Sequence, residues 1–303
     1  MKQLLVLSGK GGTGKTTVAS VFVALSHTHA FADCDVDAPN LHLSTRIPNT
    51  CTSLPFEGMP RAYIQPDQCV SCGMCTRFCR FDAISLNRTT RVYEVDRIAC
   101  EGCKVCVAAC PFGAIVLTPE PIGQTHVYAD NSQVFSTAHL QAGSGNSGKL
   151  VSQVKRNLEH AIESLSETAQ AESLFAVIDG SPGIGCPVIS SLAGVDMVLI
   201  VAEPSASGVC DVTRLLKMVE RFGMQVAVCV NKADINPDEV AHVRELCEQI
   251  QIPFVGEIPY DHAFAQSVSE GTWNTESIKQ SSAAYKAIES IYDQVASLLA
   301  DDE

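Results

Sequence analysis

Eight of the fourteen cysteines lie between positions 69 and 110, in two runs of identical C-x2-C-x2-C-x3-C spacing. Cys69, Cys72, Cys75 and Cys79 form the first, and Cys100, Cys103, Cys106 and Cys110 the second. Thiolates at this density and spacing hold [4Fe–4S] clusters, which carry single electrons. Zinc is the main rival, but its sites are normally built from separated C-x2-C pairs. Disulfides belong to secreted chains, and the start Met1-Lys2-Gln3-Leu4-Leu5-Val6-Leu7 is too short for a signal-peptide core. A second chemistry precedes the first run. Gly9-Lys10-Gly11-Gly12-Thr13-Gly14-Lys15-Thr16 satisfies G-x-x-x-x-G-K-[ST]. Glycines in such a loop let backbone N–H groups face phosphates, and the N-terminus of the following helix adds its dipole. Lys15 is expected to reach the β- and γ-phosphates, and the Thr16 hydroxyl to sit on Mg²⁺.

These residues need a scaffold. Leu4–Leu7, Leu174–Ile178, Met197–Ala202 and Val226–Val230 are apolar runs without polar alternation, the pattern of parallel strands covered on both faces. Helical stretches, Lys149–Ala169 and Asp211–Phe222 among them, intervene. Ile288, Ile291, Tyr292, Val295, Leu298 and Leu299 share one face of a C-terminal helix. Its exposed residues are neutral or acidic and it ends Asp301-Asp302-Glu303, which favours packing on the core over membrane anchoring. The fold class is therefore α/β, a mostly parallel sheet flanked by helices and interrupted by a small cysteine-rich α+β insert. Within the insert, Cys79-Arg80-Phe81-Asp82-Ala83-Ile84 echoes Cys110-Pro111-Phe112-Gly113-Ala114-Ile115 at an offset of 31. Each half is expected to be a short strand, cluster loop and short helix. With so little core, the clusters themselves should hold the insert folded.

At 303 residues, 46% hydrophobic and 18% charged, the chain is long enough for one large or two modest domains. A formal charge of −13 disfavours non-specific binding to nucleic acid or anionic lipid. No apolar stretch reaches the roughly 20 residues of a membrane span. Thiolates that hold iron need a reducing compartment, so the expected location is the cytoplasm.

The cysteine runs resemble those of a bacterial two-cluster ferredoxin, in which the fourth cysteine of each run ligates the other cluster. That resemblance implies one cluster on Cys69, Cys72, Cys75 and Cys110 and another on Cys100, Cys103, Cys106 and Cys79. Arg80 stands where the second run has Pro111, which leaves the ligands untouched. The loop K-G-G-T-G-K-T-T, with its early Lys10, is similar to the deviant Walker A of the MinD/ParA/Mrp group, to which the nitrogenase iron protein belongs. By that resemblance the nucleotide is ATP, cradled by Gly11, Gly12, Thr13, Gly14, Lys15, Thr16 and Thr17. Lys10 acts in trans across a nucleotide-induced dimer, either of two copies or of a paralogue pair. Asp33-Cys34-Asp35-Val36-Asp37-Ala38-Pro39-Asn40-Leu41 resembles switch I, with Asp35 positioning the attacking water. Asp179-Gly180-Ser181-Pro182-Gly183 resembles Walker B and switch II, with Asp179 in the Mg²⁺ shell and the Gly183 N–H sensing the γ-phosphate. Asn231-Lys232 matches the base-recognition position, and Pro259-Tyr260 would line the base pocket. Asn231-Lys232-Ala233-Asp234 also fits the N-K-x-D that reads guanine, so GTP stays open.

The combination looks like the MinD-superfamily ATPases with an inserted ferredoxin domain, some of which occur with the orange-protein complex of sulfate reducers. It implies an ATPase domain from 1–58 and 122–303 and a ferredoxin domain from 59–121. The expected function is an ATPase that couples dimer and switch changes to low-potential electron transfer through two [4Fe–4S] clusters to a redox partner protein, without nucleic acid or stable membrane insertion. The alternatives are a cluster carrier of Mrp type and a redox-sensing spatial organiser like MinD or ParA. Gly143-Ser144-Gly145-Asn146-Ser147-Gly148-Lys149 repeats the loop spacing, but Leu150 follows and offers no hydroxyl, so it is expected to be a connector. Cys186, seven residues after Asp179, stands where the nitrogenase iron protein has a bridging-cluster ligand, without a second cysteine to accompany it. Cys34, Cys51, Cys210, Cys229 and Cys247 are expected to be structural, with Cys51 in a loop, and none of the eight histidines has ligand spacing.

Overall fold

The apolar runs form strands because residues buried on both faces of a sheet need no polar alternation. In the computed structural model, which describes residues 1–141, 144–166 and 175–300, β1 (Lys2–Leu7), β10 (Phe175–Asp179) and β11 (Met197–Ala202) are buried almost throughout. The expected strand residue Leu174, the end of the expected helix at 167–169, Gly143 and the acidic tail 301–303 lie outside the described residues.

The chain forms two compact units. The first comprises Met1–Ser53, Thr125–His139 and Ser147–Glu303. Its sheet also contains β2 (Ala30–Asp33), β9 (Val134–Leu140), β12 (Gln225–Asn231) and β13 (Phe254–Ile258), in the order β13-β12-β11-β1-β10-β2-β9. Strands β8 (Pro121–Ala129) and β3 (Cys51–Glu57) complete that order. Every pairing from β13 to β9 is parallel, with Val6 opposite Asp179 and Asp179 opposite Asp33. Cys51 therefore begins a strand and is exposed, which corrects the expected loop; a Thr or Ser-rich stretch carries little periodic signal.

Helix α1 (Lys15–Leu25) crosses to β2, α5 (Ser147–Ile162) precedes β10, and α6 (Cys186–Leu192) precedes β11. Helix α7 (Ala206–Val219), capped by Ser205, precedes β12, and α8 (Pro237–Gln249), capped by Asn236, precedes β13. The C-terminal helix (Ala283–Ala300) buries Ile288, Ile291, Tyr292, Val295 and Leu299 in the core of this unit. The Tyr292 ring meets Phe22 of α1 edge-on at 5.3 Å. Its apolar face is thus spent on packing.

The second unit comprises Leu54–Gln124 and Leu140–Asn146. Strand β4 (Arg61–Ile64) pairs antiparallel with β7 (Ile115–Thr118), and β5 (Ile84–Leu86) with β6 (Tyr93–Val95). Helices α3 (Met74–Phe78) and α4 (Val105–Ala109) follow the two cysteine loops. Each half is therefore strand, loop, helix and a second strand. The repeat extends to the backbone: the left-handed residues Ser71, Gly73 and Asp82 recur 31 positions on as Gly102, Lys104 and Gly113. Its core cluster consists of Ala62, Ile64, Cys75, Ile84, Cys106 and Ile115, two of them cysteines. So small an apolar core leaves such a unit short of stabilising surface.

Candidate functional site

The carboxyl ends of parallel strands form the crevice where α/β proteins bind ligands. The P-loop leaves β1 at that edge, Asp33 ends β2, Asp179 ends β10, Glu203 follows β11 and Asn231 ends β12. Gly14 opens α1 with φ of +92°, and a Cβ on it would lie 2.1 Å from the Asn231 amide nitrogen. Only glycine permits both the left-handed turn and that approach.

Two P-loop side chains converge on one carboxylate. Lys15 Nζ donates to Asp179 Oδ1 at 2.5 Å, and Thr16 Oγ1 donates to Asp179 Oδ2 at 2.6 Å. Lys15 and Asp179 are both buried. Burial works against the Lys15 ammonium, but Asp179, aided by Asp33 and Asp35, outweighs it and holds its pKa above the ordinary value. Thr13 is 3% exposed, and its Oγ1 finds no hydrogen-bond partner among the described residues. A buried hydroxyl without a partner is costly, and a ligand oxygen in the loop would satisfy it.

Asp33 was not singled out by the motif, yet it organises the segment after β2. It is fully buried, its Oδ1 accepts from Asp35 N at 2.9 Å, and its Oδ2 accepts from Asn40 N and Leu41 N at 2.8 and 2.9 Å. Burial and the neighbouring Asp179 push its pKa up to about 7. Asp35 is half-buried beside it, its pKa also raised by burial while Lys15 acts in the opposite sense. The two switch-like segments are joined directly: Cys34 N donates to Asp179 O at 2.7 Å and Ser181 Oγ to Cys34 O at 2.6 Å. Gly183, expected to face a phosphate, donates its N–H to Ser8 O at 2.9 Å.

Lys10 is held within its own chain, with Nζ 2.7 Å from Glu203 Oε2 and 3.3 Å from Ser207 Oγ. Neither partner was expected, although Glu203 directly follows an apolar strand that had been identified. Asn231 Nδ2 donates to Thr13 O at 2.7 Å, and Lys232 Nζ to Gly12 O at 3.0 Å. Asp234 Oδ1 accepts from Tyr260 N at 2.6 Å, and Pro259 lines a cavity with Ala233, Asp234 and Glu257. Thr17 lies in the first turn of α1 and Gly11 and Gly12 in the loop before it.

The eight cysteines of the second unit surround two cavities. Cys69, Cys72, Cys75 and Cys110 line one, and Cys79, Cys100, Cys103 and Cys106 line the other. The fourth cysteine of each run thus stands at the cavity of the other run. The two cavities are alike in size, about 20 Å³ each, as two copies of one unit should be. Among the described residues, no three His, Cys, Asp or Glu side chains close on a point as ligands of a single ion do.

Cys186 is exposed at the start of α6. Cys229 and Cys247 are buried, and burial pushes their thiols up to about 12 and about 11. Cys34 is buried and raised to about 12 by the same cause. Cys210, by contrast, is exposed on α7, so its expected structural role does not extend to packing.

A P-loop at the carboxyl edge of a parallel sheet, with its lysine and threonine on a strand-end aspartate, defines a P-loop nucleotide-binding protein. The CobQ/CobB/MinD/ParA nucleotide binding domain matches residues 4–274, and the chain belongs to that family. An uncharacterized protein of Methanocaldococcus jannaschii is 31% identical over 85% of this chain and 86% of its own. A second uncharacterized protein of that organism is 25% identical over 89% and 90%. Among solved structures, septum site-determining protein MinD of Pyrococcus horikoshii, complexed with Mg-ADP, has a TM-score of 0.54 at 17% identity, covering 98% of this chain and 96% of its own. An ATP complex of a McdA variant from Cyanothece has a TM-score of 0.53 at 16% identity, over 99% and 96%. At such identities the structures speak for the fold. No described helix is long and apolar enough to cross a membrane.

Proposed function

We propose that this chain is an ATP-hydrolysing iron–sulfur protein in which nucleotide state controls low-potential electron transfer to a partner protein. The observation that carries this reading is the pairing of two four-cysteine cavities with a P-loop site in one chain. The donor set fits [4Fe–4S] clusters: the four sulfurs of a cluster site bind four different irons, so they ring a cavity instead of meeting at a point. When bound, such clusters accept and release single electrons.

Lys15 would neutralise the β- and γ-phosphates, while Thr16 and Asp179 would hold Mg²⁺, which would screen the charge that develops during phosphoryl transfer. Asp35 orients the attacking water, on a segment whose backbone Asp33 fixes. Lys10 leaves Glu203 to act on the nucleotide of a second subunit, a like copy or a paralogue. ATP is favoured over GTP by membership of the CobQ/CobB/MinD/ParA nucleotide binding family. The name MinD among the fold's relatives raises a spatial organiser as another reading, but two cysteine-lined cavities favour redox work.

The test is Lys15→Ala in protein reconstituted anaerobically. It should lose nucleotide binding while keeping eight iron atoms per chain, and its reduction of an acceptor should no longer respond to Mg-ATP. If the variant and wild type respond alike, gating by ATP is wrong.

A further inference from the structure

The two halves of the cysteine unit are each other's control, because positions 31 apart occupy equivalent places. At the first cavity Val70 and Phe112 stand 57% and 53% exposed, beside cysteines they help enclose. The residue equivalent to Val70 at the second cavity is Glu101, which lines it together with Lys104. Phe81, the equivalent of Phe112, is 43% exposed at the second cavity, so both mouths carry an apolar ring and they differ where Val70 stands in place of Glu101. The surroundings of the first mouth are cationic. Exposed Arg77 follows Cys75 by two residues, whereas its equivalent is Ala108. Arg88 and Arg91 lie exposed on the hairpin between β5 and β6. That hairpin is fixed beside the first loop, since Ser71 Oγ donates to the Arg91 carbonyl and Tyr93 lines the first cavity. The nearby acids are Asp67 and Glu94, and Glu94 accepts from Asn87 Nδ2 at 2.7 Å.

The side chains of the cysteine unit hold seven of the 21 cations and seven of the 34 acids, and two oxidised [4Fe–4S] sites, each with four thiolates, would add a charge of about −4. The arginines around the first mouth are therefore a local attraction for an acidic protein.

We propose that the mouth formed by Val70 and Phe112, rimmed by Arg77, Arg88 and Arg91, is the docking face for an acidic electron-transfer protein, and that electrons leave by the first cluster. This rests on the iron–sulfur reading above. The exchange is balanced by one electron: the reduced cluster loses it, the acceptor gains it, and a low-potential donor, dithionite in the test, restores it.

The experiment uses the full chain, reconstituted anaerobically, with an acidic flavodoxin as probe and cationic cytochrome c as its contrast. Iron content and EPR are measured first; absence of clusters refutes the iron–sulfur reading before any docking is examined. With clusters present, flavodoxin affinity is measured by biolayer interferometry at low and moderate salt. Wild type should bind flavodoxin with an affinity that falls with salt. Arg88→Glu with Arg91→Glu, and separately Val70→Glu, should weaken it by about tenfold, while Lys104→Glu at the second mouth should not. The arginine reversals should not weaken cytochrome c. No binding by wild type, equal loss from Lys104→Glu, or unchanged binding by both first-mouth variants that retain eight iron atoms would overturn the proposal. So would a dimer of this chain that buries the same face.

Discussion

Asp33 is a carboxyl group buried beside a second one, and its pKa of about 7 sets a pH signature. A carboxyl whose folded pKa lies above its unfolded value near 4 binds its proton more tightly in the native state. Its contribution to stability is therefore complete below about pH 4, declines as pH rises, and is lost above about 7. Without added nucleotide, urea unfolding should show a lower midpoint at pH 8 than at pH 5, and Asp33→Asn should reduce that difference. An equal pH dependence in the variant would remove Asp33 as its source. The Walker residues were legible from the sequence because their spacing is local: Gly14, Lys15 and Thr16 act within one turn of chain. Asp33 as a backbone anchor was not, since the N–H groups it accepts from lie two, seven and eight residues on in an irregular loop; nor was Glu203 as the partner of Lys10, which needs β11 and the P-loop to meet at one edge.

Helices α5 and α6 show how an element can hold a switch. A Cβ on Gly148 would lie 2.8 Å from Ser190 Oγ and 3.2 Å from the Cys186 carbonyl, so the helices meet there at a distance only glycine allows. One heptad on, buried Lys155 donates to the carbonyls of Ser191 and Ala193 at the far end of α6. Burial lowers the Lys155 pKa. Gly148, the last glycine of the second glycine-rich match, is thus a packing contact inside α5, where the sequence reading expects a connector. Gly148→Ala should destabilise by about 1–3 kcal/mol through overpacking. Lys155→Ala should cost a similar ~1–3 kcal/mol by orphaning two carbonyls. Both are read as shifts in urea midpoint at constant m-value. Unchanged midpoints would mean that α6 is held elsewhere. Buried strands were legible from apolar runs, whereas β8 and β9 were missed because QTHVY and FSTAH mix polar and apolar residues without a clear period.

At the scale of the whole molecule, the repeat of eight cysteines marks out a unit of its own, and the folded chain brings the fourth cysteine of each run to the other cavity. What the sequence left open was which end of that unit faces a partner, because Val70 and Arg91 become neighbours of one cavity only after the hairpin folds back. The central proposal is coupling between the nucleotide site and the proposed clusters. Both clusters should be titrated by EPR under anaerobic conditions, with and without Mg-ATP. Coupling free energies of roughly 1–3 kcal/mol correspond to about 40–130 mV for a one-electron couple. A shift of that size, abolished by Lys15→Ala, is the predicted result. Potentials that stay fixed while nucleotide binds would contradict it.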